Sequence, residues 1–376
     1  MMLSETQTLI RDAVRDFARA EIAPNSRAYE AAGGYPADLF PRLAGLGLTG
    51  MTAPVEVGGA GADYVSYALA LMEIAAADGA LSTILSIQNS LIVAAILNHG
   101  TPAQQDRFLP DLLAGRAVGA FCLTESNAGS DAAALRTSAR KTADGYLLNG
   151  SKQFITSGGS AKLAIVFAVT DPQAGRRGIS AFLVPTDKPG FTVAKVEEKL
   201  GLSASDTCAL TFDDVPLEAD LLLGAEGEGY KIALANLAVG RVGIAAQAVG
   251  MAQAALEIAV AYAKERTSFG KPIIEHQAVG FRLADLATRL EASRQIVLHA
   301  AAAKDAGLPA LTEASMAKLF ASETAEAVCS GAIQTLGGYG YLEEFGLAKI
   351  YRDVRVCQIY EGTSDIQKLL IQRALA

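Results

Sequence analysis

The chain has 376 residues, enough for two or three domains that each bury a core of their own. Apolar residues make up 51% and charged residues only 19%, and the net charge of −8 argues against nucleic-acid binding, which needs a basic face. Any anionic ligand must be met by local arginines and helix ends.

The first third reads as helices. Leu9, Ile10, Ala13, Val14 and Phe17 recur at helical spacing before Pro24, Pro36 suits a first helical turn, and Thr101-Pro102 is a cap followed by proline at the first helical position. Segments 65–77 and 81–98 share the helical pattern. Gly45-Leu46-Gly47-Leu48-Thr49-Gly50 matches G-x-G-x-x-G, but helical residues precede it and Pro54, Gly58 and Gly59 follow, so it marks no dinucleotide site. From about residue 119 short β-prone runs appear, at Lys162–Val169, Ile179–Val184 and Thr207–Phe212. Asp144-Gly145, Asn149-Gly150 and Pro189-Gly190 are expected as turns among them. After Gly224–Gly229 the pattern is helical again, with Leu311–Leu336 stopped by Gly337-Gly338. The expected fold class is α+β: an N-terminal helical domain over 1–118, a middle β domain over 119–224 and a C-terminal four-helix bundle over 225–376.

No run of about 18 uninterrupted apolar residues occurs, so no membrane span is expected. Val242–Ala263 carries Gln247, Gln253 and Glu257, as a buried helix would. The start MMLSETQTLIRD lacks a signal-peptide pattern, and its acidic residues disfavour a mitochondrial address, which makes a cytoplasmic location the expectation. Cys122, Cys208, Cys329 and Cys357 are scattered, as are His99, His276 and His299, so neither a metal site nor a disulfide framework is expected.

The most informative run is IYEGTSDIQKLL (359–370). Gly362 permits a tight bend, Thr363, Ser364 and Asp365 are helix-capping types, and Ile366, Leu369 and Leu370 begin a helical stripe. Glu361 therefore stands on a bend before a helix. By itself this fits either a carboxylate aimed into a cavity or one that complements the helix dipole.

This run closely resembles the C-terminal signature of the acyl-CoA dehydrogenases, and the resemblance extends over nearly the whole chain. It implies an FAD enzyme of fatty-acid β-oxidation that introduces an α,β double bond into acyl-CoA thioesters. Glu361 would be the α-proton base, and an electron-transfer flavoprotein the acceptor. The residues Tyr360 and Gly362 would contact substrate, while Thr363 and Asp365 would lie at the cofactor. FCLTESNAGSD (121–131) resembles the family's first flavin loop, which implies cofactor contacts at Phe121, Leu123, Thr124 and Ser130, the last also reaching substrate. KQFITSGG (152–159) resembles the second, implying Phe154, Ile155 and Thr156. ERTSFGKPIIEHQAV (265–279) and AIQTLGGYGYL (332–342) resemble the segments that hold the dinucleotide. They imply Arg266, Phe269 and Gln277 from one subunit and Gln334, Gly337 and Gly338 from another, hence a homo-oligomer, expected as a tetramer.

Three positions depart from the family pattern. Ser126 replaces a usual proline, Phe154 a usual tryptophan, and Ala238 an acidic residue three before Arg241, the expected acyl-CoA contact. A subset of the family carries its base at the position of Gly240, where glycine offers none, leaving Glu361 as the sole candidate of the two. The C-terminal half looks most like short-chain and short/branched-chain members, and the chain ends without the extra domain of very-long-chain types. Rival readings are an acyl-CoA oxidase, a flavin monooxygenase of the same fold, and a non-catalytic interaction paralogue.

Overall fold

Ser4 opens the first helix, α1 (Glu5–Phe17), with a capping box closed by Gln7. The computed structural model describes all residues, 1–376. A π turn and a 3-10 turn containing Pro24 lead into α2 (Ser26–Ala32), and α3 (Phe40–Gly45) follows. Helix, not strand, precedes the glycine triplet at 45–50, as its local pattern predicts. The helices α4 (Tyr64–Ala77) and α5 (Gly79–Ile87) are capped by Asp63 and Asp78 and buried almost all round. After α6 (Ala94–His99), Thr101 and Gln104 form a second capping box on α7 (Pro102–Leu113).

The middle of the chain contributes β1 (Gly119–Cys122), β2 (Ser138–Lys141), β3 (Gly145–Thr156), β4 (Leu163–Val169), β5 (Ile179–Pro185), β6 (Phe191–Val196), β7 (Thr207–Glu218) and β8 (Leu222–Leu223). They form one sheet in the order β6-β7-β3-β2-β4-β5-β8, with β1 parallel to β4. Asn149-Gly150 is not a turn. It lies inside β3, where the register against β7 shifts between Leu148 and Gly150. Gly150 has φ 138, and a side chain there would press on the Thr137 backbone, so the glycine serves a bulge.

The C-terminal helices are α8 (Gly229–Glu265), α9 (Gln277–Asp305) and α10 (Leu311–Leu336), with α9 reached through a small hairpin of β9 (Thr267–Ser268) and β10 (Lys271–Pro272). A further short helix, α11 (Leu347–Val354), precedes α12 (Ser364–Leu375), which closes the chain. Three faces of α8 are used, against α10, α9 and α4. Gly243 and Gly250 lie along the face toward α4, and any side chain at Gly250 would strike the Met72 carbonyl of α4. Small residues thus set how closely the two domains approach. Within the chain α12 rests on α10 and buries fully only Gln367, leaving Leu369 exposed. Two helical stretches, Gly79–His99 and Gly229–Glu265, are long and apolar enough to cross a membrane, and most of each is buried inside the protein.

Candidate active site

The bend before α12 is built as its residues dictate. Glu361 adopts φ 53 and Gly362 φ 91, and Thr363 caps α12 by accepting from the Ile366 N–H at 3.3 Å. A left-handed conformation costs a non-glycine residue about 1–2 kcal/mol, so something must hold Glu361 there. Two interior side chains do. Lys318 Nζ donates to the Gly362 carbonyl at 2.6 Å, and Gln367 Nε2 donates to the same carbonyl at 2.8 Å and to that of Glu361 at 3.3 Å. Both are fully buried. Neither was read from sequence. The signal for Lys318 was a lysine inside the apolar run of α10.

Although Glu361 as a whole is partly accessible, both carboxylate oxygens are buried and accept no hydrogen bond. The carboxylate lies over Gly240, where an added side chain would overlap it. Burial pushes Glu361 up to about 7, against the opposing charges of Arg241 and Lys318. A carboxylate poised near neutrality suits proton transfer. Arg241 is buried too, its Nε unpartnered, and burial lowers it below the usual guanidinium value.

Tyr360 turns its hydroxyl inward to donate to Gln247 Oε1. Gln247 in turn donates to the Gly79 carbonyl at 2.7 Å and to Thr83 Oγ1 at 2.5 Å. This chain ties the bend to α5 and α8, and Gln247 and Thr83 escaped the sequence reading because single polar residues in an apolar helix carry no motif. One turn along α8 from Gly240, Gly243 faces Tyr67 and Ser86, whose hydroxyls lie 3.4 Å apart.

The loop after β1 and the end of β3 meet through a buried ion pair. Lys152 Nζ donates to Glu125 Oε1 at 2.8 Å and to the Leu123 carbonyl at 3.1 Å. Glu125 also accepts from the Arg136 and Thr137 N–H groups. Burial pushes Glu125 up, but the Lys152 charge and these donors prevail and hold it below the ordinary carboxylate value. Around this staple Thr124 and Thr156 are half-buried and Ser130 is exposed, while Phe121 packs on Phe167 with ring centres 4.8 Å apart. The side chains of Leu123 and Ile155 are buried in the core. Only their backbones can face a ligand. Phe154, in contrast, has φ 58 and is 64% exposed, an aromatic residue held outward by the backbone.

Arg266 follows α8 directly, its guanidinium 5.9 Å from the Tyr339 ring centre, in a recess also lined by Tyr262, Gly337 and Gly338. No atom lies within 4 Å of where side chains at Gly337 and Gly338 would begin. The two segments expected to meet across subunits thus line one recess within a single chain, because α10 runs back beside the end of α8. Phe269, φ 47 and 96% exposed, does not line that recess, and Gln277 and Gln334 are exposed. Asp365 is likewise exposed, and the Thr363 hydroxyl is engaged in its cap. An outward aromatic, an arginine over a tyrosine and open glycines fit a flavin dinucleotide: a face for the ring system, a fork for the pyrophosphate and room for close backbone approach.

Three family models match the chain in order: acyl-CoA dehydrogenase N-terminal domain over residues 4–116, middle domain over 120–215 and C-terminal domain over 227–376. An acyl-CoA dehydrogenase of Bacillus subtilis is 50% identical over 375 residues, 100% of this chain and 99% of that protein. Among solved structures, the butyryl-CoA dehydrogenase of Megasphaera elsdenii superimposes with TM-score 0.97 at 43% identity, covering 100% of this chain and 99% of that one. A chain of the structure described as the electron transferring flavoprotein of Acidaminococcus fermentans gives TM-score 0.98 at 42% identity, with coverage of 100% and 99%. With every domain matched and a relative 50% identical over the whole chain, this chain belongs to the acyl-CoA dehydrogenases, oxidoreductases that work with FAD.

Proposed function

We propose that this protein oxidises a short or branched acyl-CoA to the trans-2-enoyl-CoA, with Glu361 as the base. The observation that carries the reading is the Glu361 carboxylate itself, buried, without a hydrogen-bond partner and raised to about 7. A carboxylate left unsatisfied inside a protein is costly unless its partner arrives with the substrate.

The α hydrogen of a thioester is weakly acidic, so its removal needs a placed base and a polarised carbonyl. The Glu361 N–H, which donates to no backbone acceptor in the chain, is the donor for the thioester oxygen, while the carboxylate takes the α proton. Arg241 holds the acyl-CoA along α8, and Tyr360, fixed by Gln247, walls the pocket and keeps water from the carboxylate. The loop around Thr124 and Ser130, Phe154 with Thr156, and the Arg266 recess would hold FAD, which would supply the acceptor for the β hydride. The electrons then leave to an electron-transfer flavoprotein, a partner class supported by the second structural likeness above. Tyr67 and Ser86 stand close behind the site beside Gly243, which supports a short acyl group, as does the likeness to a butyryl-CoA enzyme. A cytoplasmic homotetramer completes the proposal.

A panel of straight and branched acyl-CoAs assayed with an artificial electron acceptor tests this reading. Turnover should be highest with acyl chains of about four carbons or their short branched analogues. Preference for long chains contradicts the substrate assignment, and turnover with oxygen alone contradicts the dehydrogenase in favour of an oxidase.

A further inference from the structure

Lys318 lies on the face of α10 formed by Ala314, Ser315, Ala317, Ala321 and Ser322, all buried, and is itself fully buried. Removing an ammonium group from water costs several kcal/mol. Its hydrogen bond goes to the Gly362 carbonyl, not to a carboxylate. Glu361, next in the chain to that glycine, carries the opposite charge and accepts nothing. Two opposite charges thus share one interior pocket without pairing. A direct ion pair would depress the carboxylate and occupy the lone pairs that must receive a proton. A cation fastened one peptide away leaves the lone pairs free and lowers the carboxylate less than a direct pair would.

We propose that Lys318 is a positioning residue for Glu361, fixing the left-handed bend through the Gly362 carbonyl and placing its charge beside the reacting carboxylate without touching it. The inference rests on Glu361 being the base. Lys318 acts with Gln367, which supplies the other two hydrogen bonds to the bend but no charge. The groups that face this pair are Arg241 from α8, Tyr67 from α4, Cys357 and Tyr360 from the segment before the bend, and Glu323 further along α10. Burial brings Lys318 down to about 8, while Cys357 and Glu361 raise it and Arg241 lowers it. Both Glu361 and Lys318 are therefore mainly charged only in the narrow interval between about 7 and about 8.

The test compares FAD-loaded Lys318→Met, Lys318→Arg and Gln367→Met with wild type. Flavin bleaching by butyryl-CoA is followed by stopped flow across the pH range, with thermal melts alongside. Lys318→Met should shift the ionisation limb of Glu361 upward by about one unit, since an opposing charge nearby typically moves a carboxylate by about one to three. It should also slow bleaching about tenfold. Lys318→Arg should return the limb to its wild-type position, whereas Gln367→Met should slow bleaching with no shift of the limb. An unshifted limb in Lys318→Met, or an equal shift in Lys318→Arg, overturns the proposal. Should Lys318→Met fail to fold, Lys318→Gln, which keeps a donor without the charge, carries the same expected shift. Glu361→Gln is the control: its failure to bleach at any pH upholds the base assignment even if the Lys318 proposal falls, and bleaching there overturns both.

Discussion

Gly240 and Glu361 compete for one volume: a side chain at residue 240 would overlap the Glu361 carboxylate, meeting Oε2 first. Helix α8 therefore needs glycine there because the space is already taken, not because the backbone is unusual. Gly240→Ala should leave α8 intact, since alanine favours a helix over glycine by about 1 kcal/mol. It should, however, displace the carboxylate. A misplacement of about 1 Å can cost about 10²-fold in rate, and stopped-flow bleaching should fall by that order with FAD content unchanged. Wild-type bleaching would show that the carboxylate does not work from this position.

Stability should depend on pH through the same group. Glu361 is raised to about 7 from an ordinary value of 4.5, so the folded protein holds its proton where the unfolded chain has lost it. The stability contributed by the neutral carboxyl is complete below 4.5 and lost as pH rises through about 7. Glu361→Gln removes that loss. Thermal melts of the variant and wild type should differ little at pH about 4.5 and favour the variant at pH about 8, by up to about 3 kcal/mol for a shift of this size. Parallel melting curves at both pH values contradict the burial argument.

Arg266→Ala should weaken FAD retention about 10- to 100-fold, the loss of a charged hydrogen bond of about 1.5–3 kcal/mol. Fluorescence of the flavin released on dilution measures it. Full retention would place the pyrophosphate elsewhere than the recess beside Tyr339.

Ala238 lies one turn before Arg241 on α8 and is half-buried. If the substrate is a free acyl-CoA, Ala238→Asp should lower KM or leave it unchanged, because the carboxylate can grip the pantetheine arm. A large loss with every acyl-CoA the wild type accepts would count against CoA as the carrier, since the new charge would then meet no partner.

What could be read in the sequence was what repeats or punctuates. The stop of α10 at Gly337, the Thr101 cap of α7 and the bend at Glu361 stand where glycine, capping residues and apolar spacing put them. Asn149-Gly150 misled because a turn dipeptide and a bulge dipeptide have the same composition, and only the approach of Thr137 distinguishes them. The residues that hold the site were the least legible. Lys318, Gln367, Gln247 and the Glu125–Lys152 pair act across segments far apart in the chain, and isolated polar residues in apolar elements show no period. The single-chain recess at Arg266 escaped for the same reason, since the return path of α10 is a property of packing.

The account turns on Glu361 as the proton acceptor. Its most direct test is flavin bleaching of Glu361→Gln on mixing with acyl-CoA under anaerobic conditions. Glutamine has nearly the same shape, keeps the backbone N–H and fills the space over Gly240, so folding, FAD content and the spectral shift on ligand binding should persist. Loss of a general base slows a reaction by about 10²- to 10⁴-fold, and Gly240 offers no second carboxylate to replace it. Bleaching should nearly vanish. Bleaching at the wild-type rate would mean that another group takes the proton, and the mechanism proposed for this chain would be wrong.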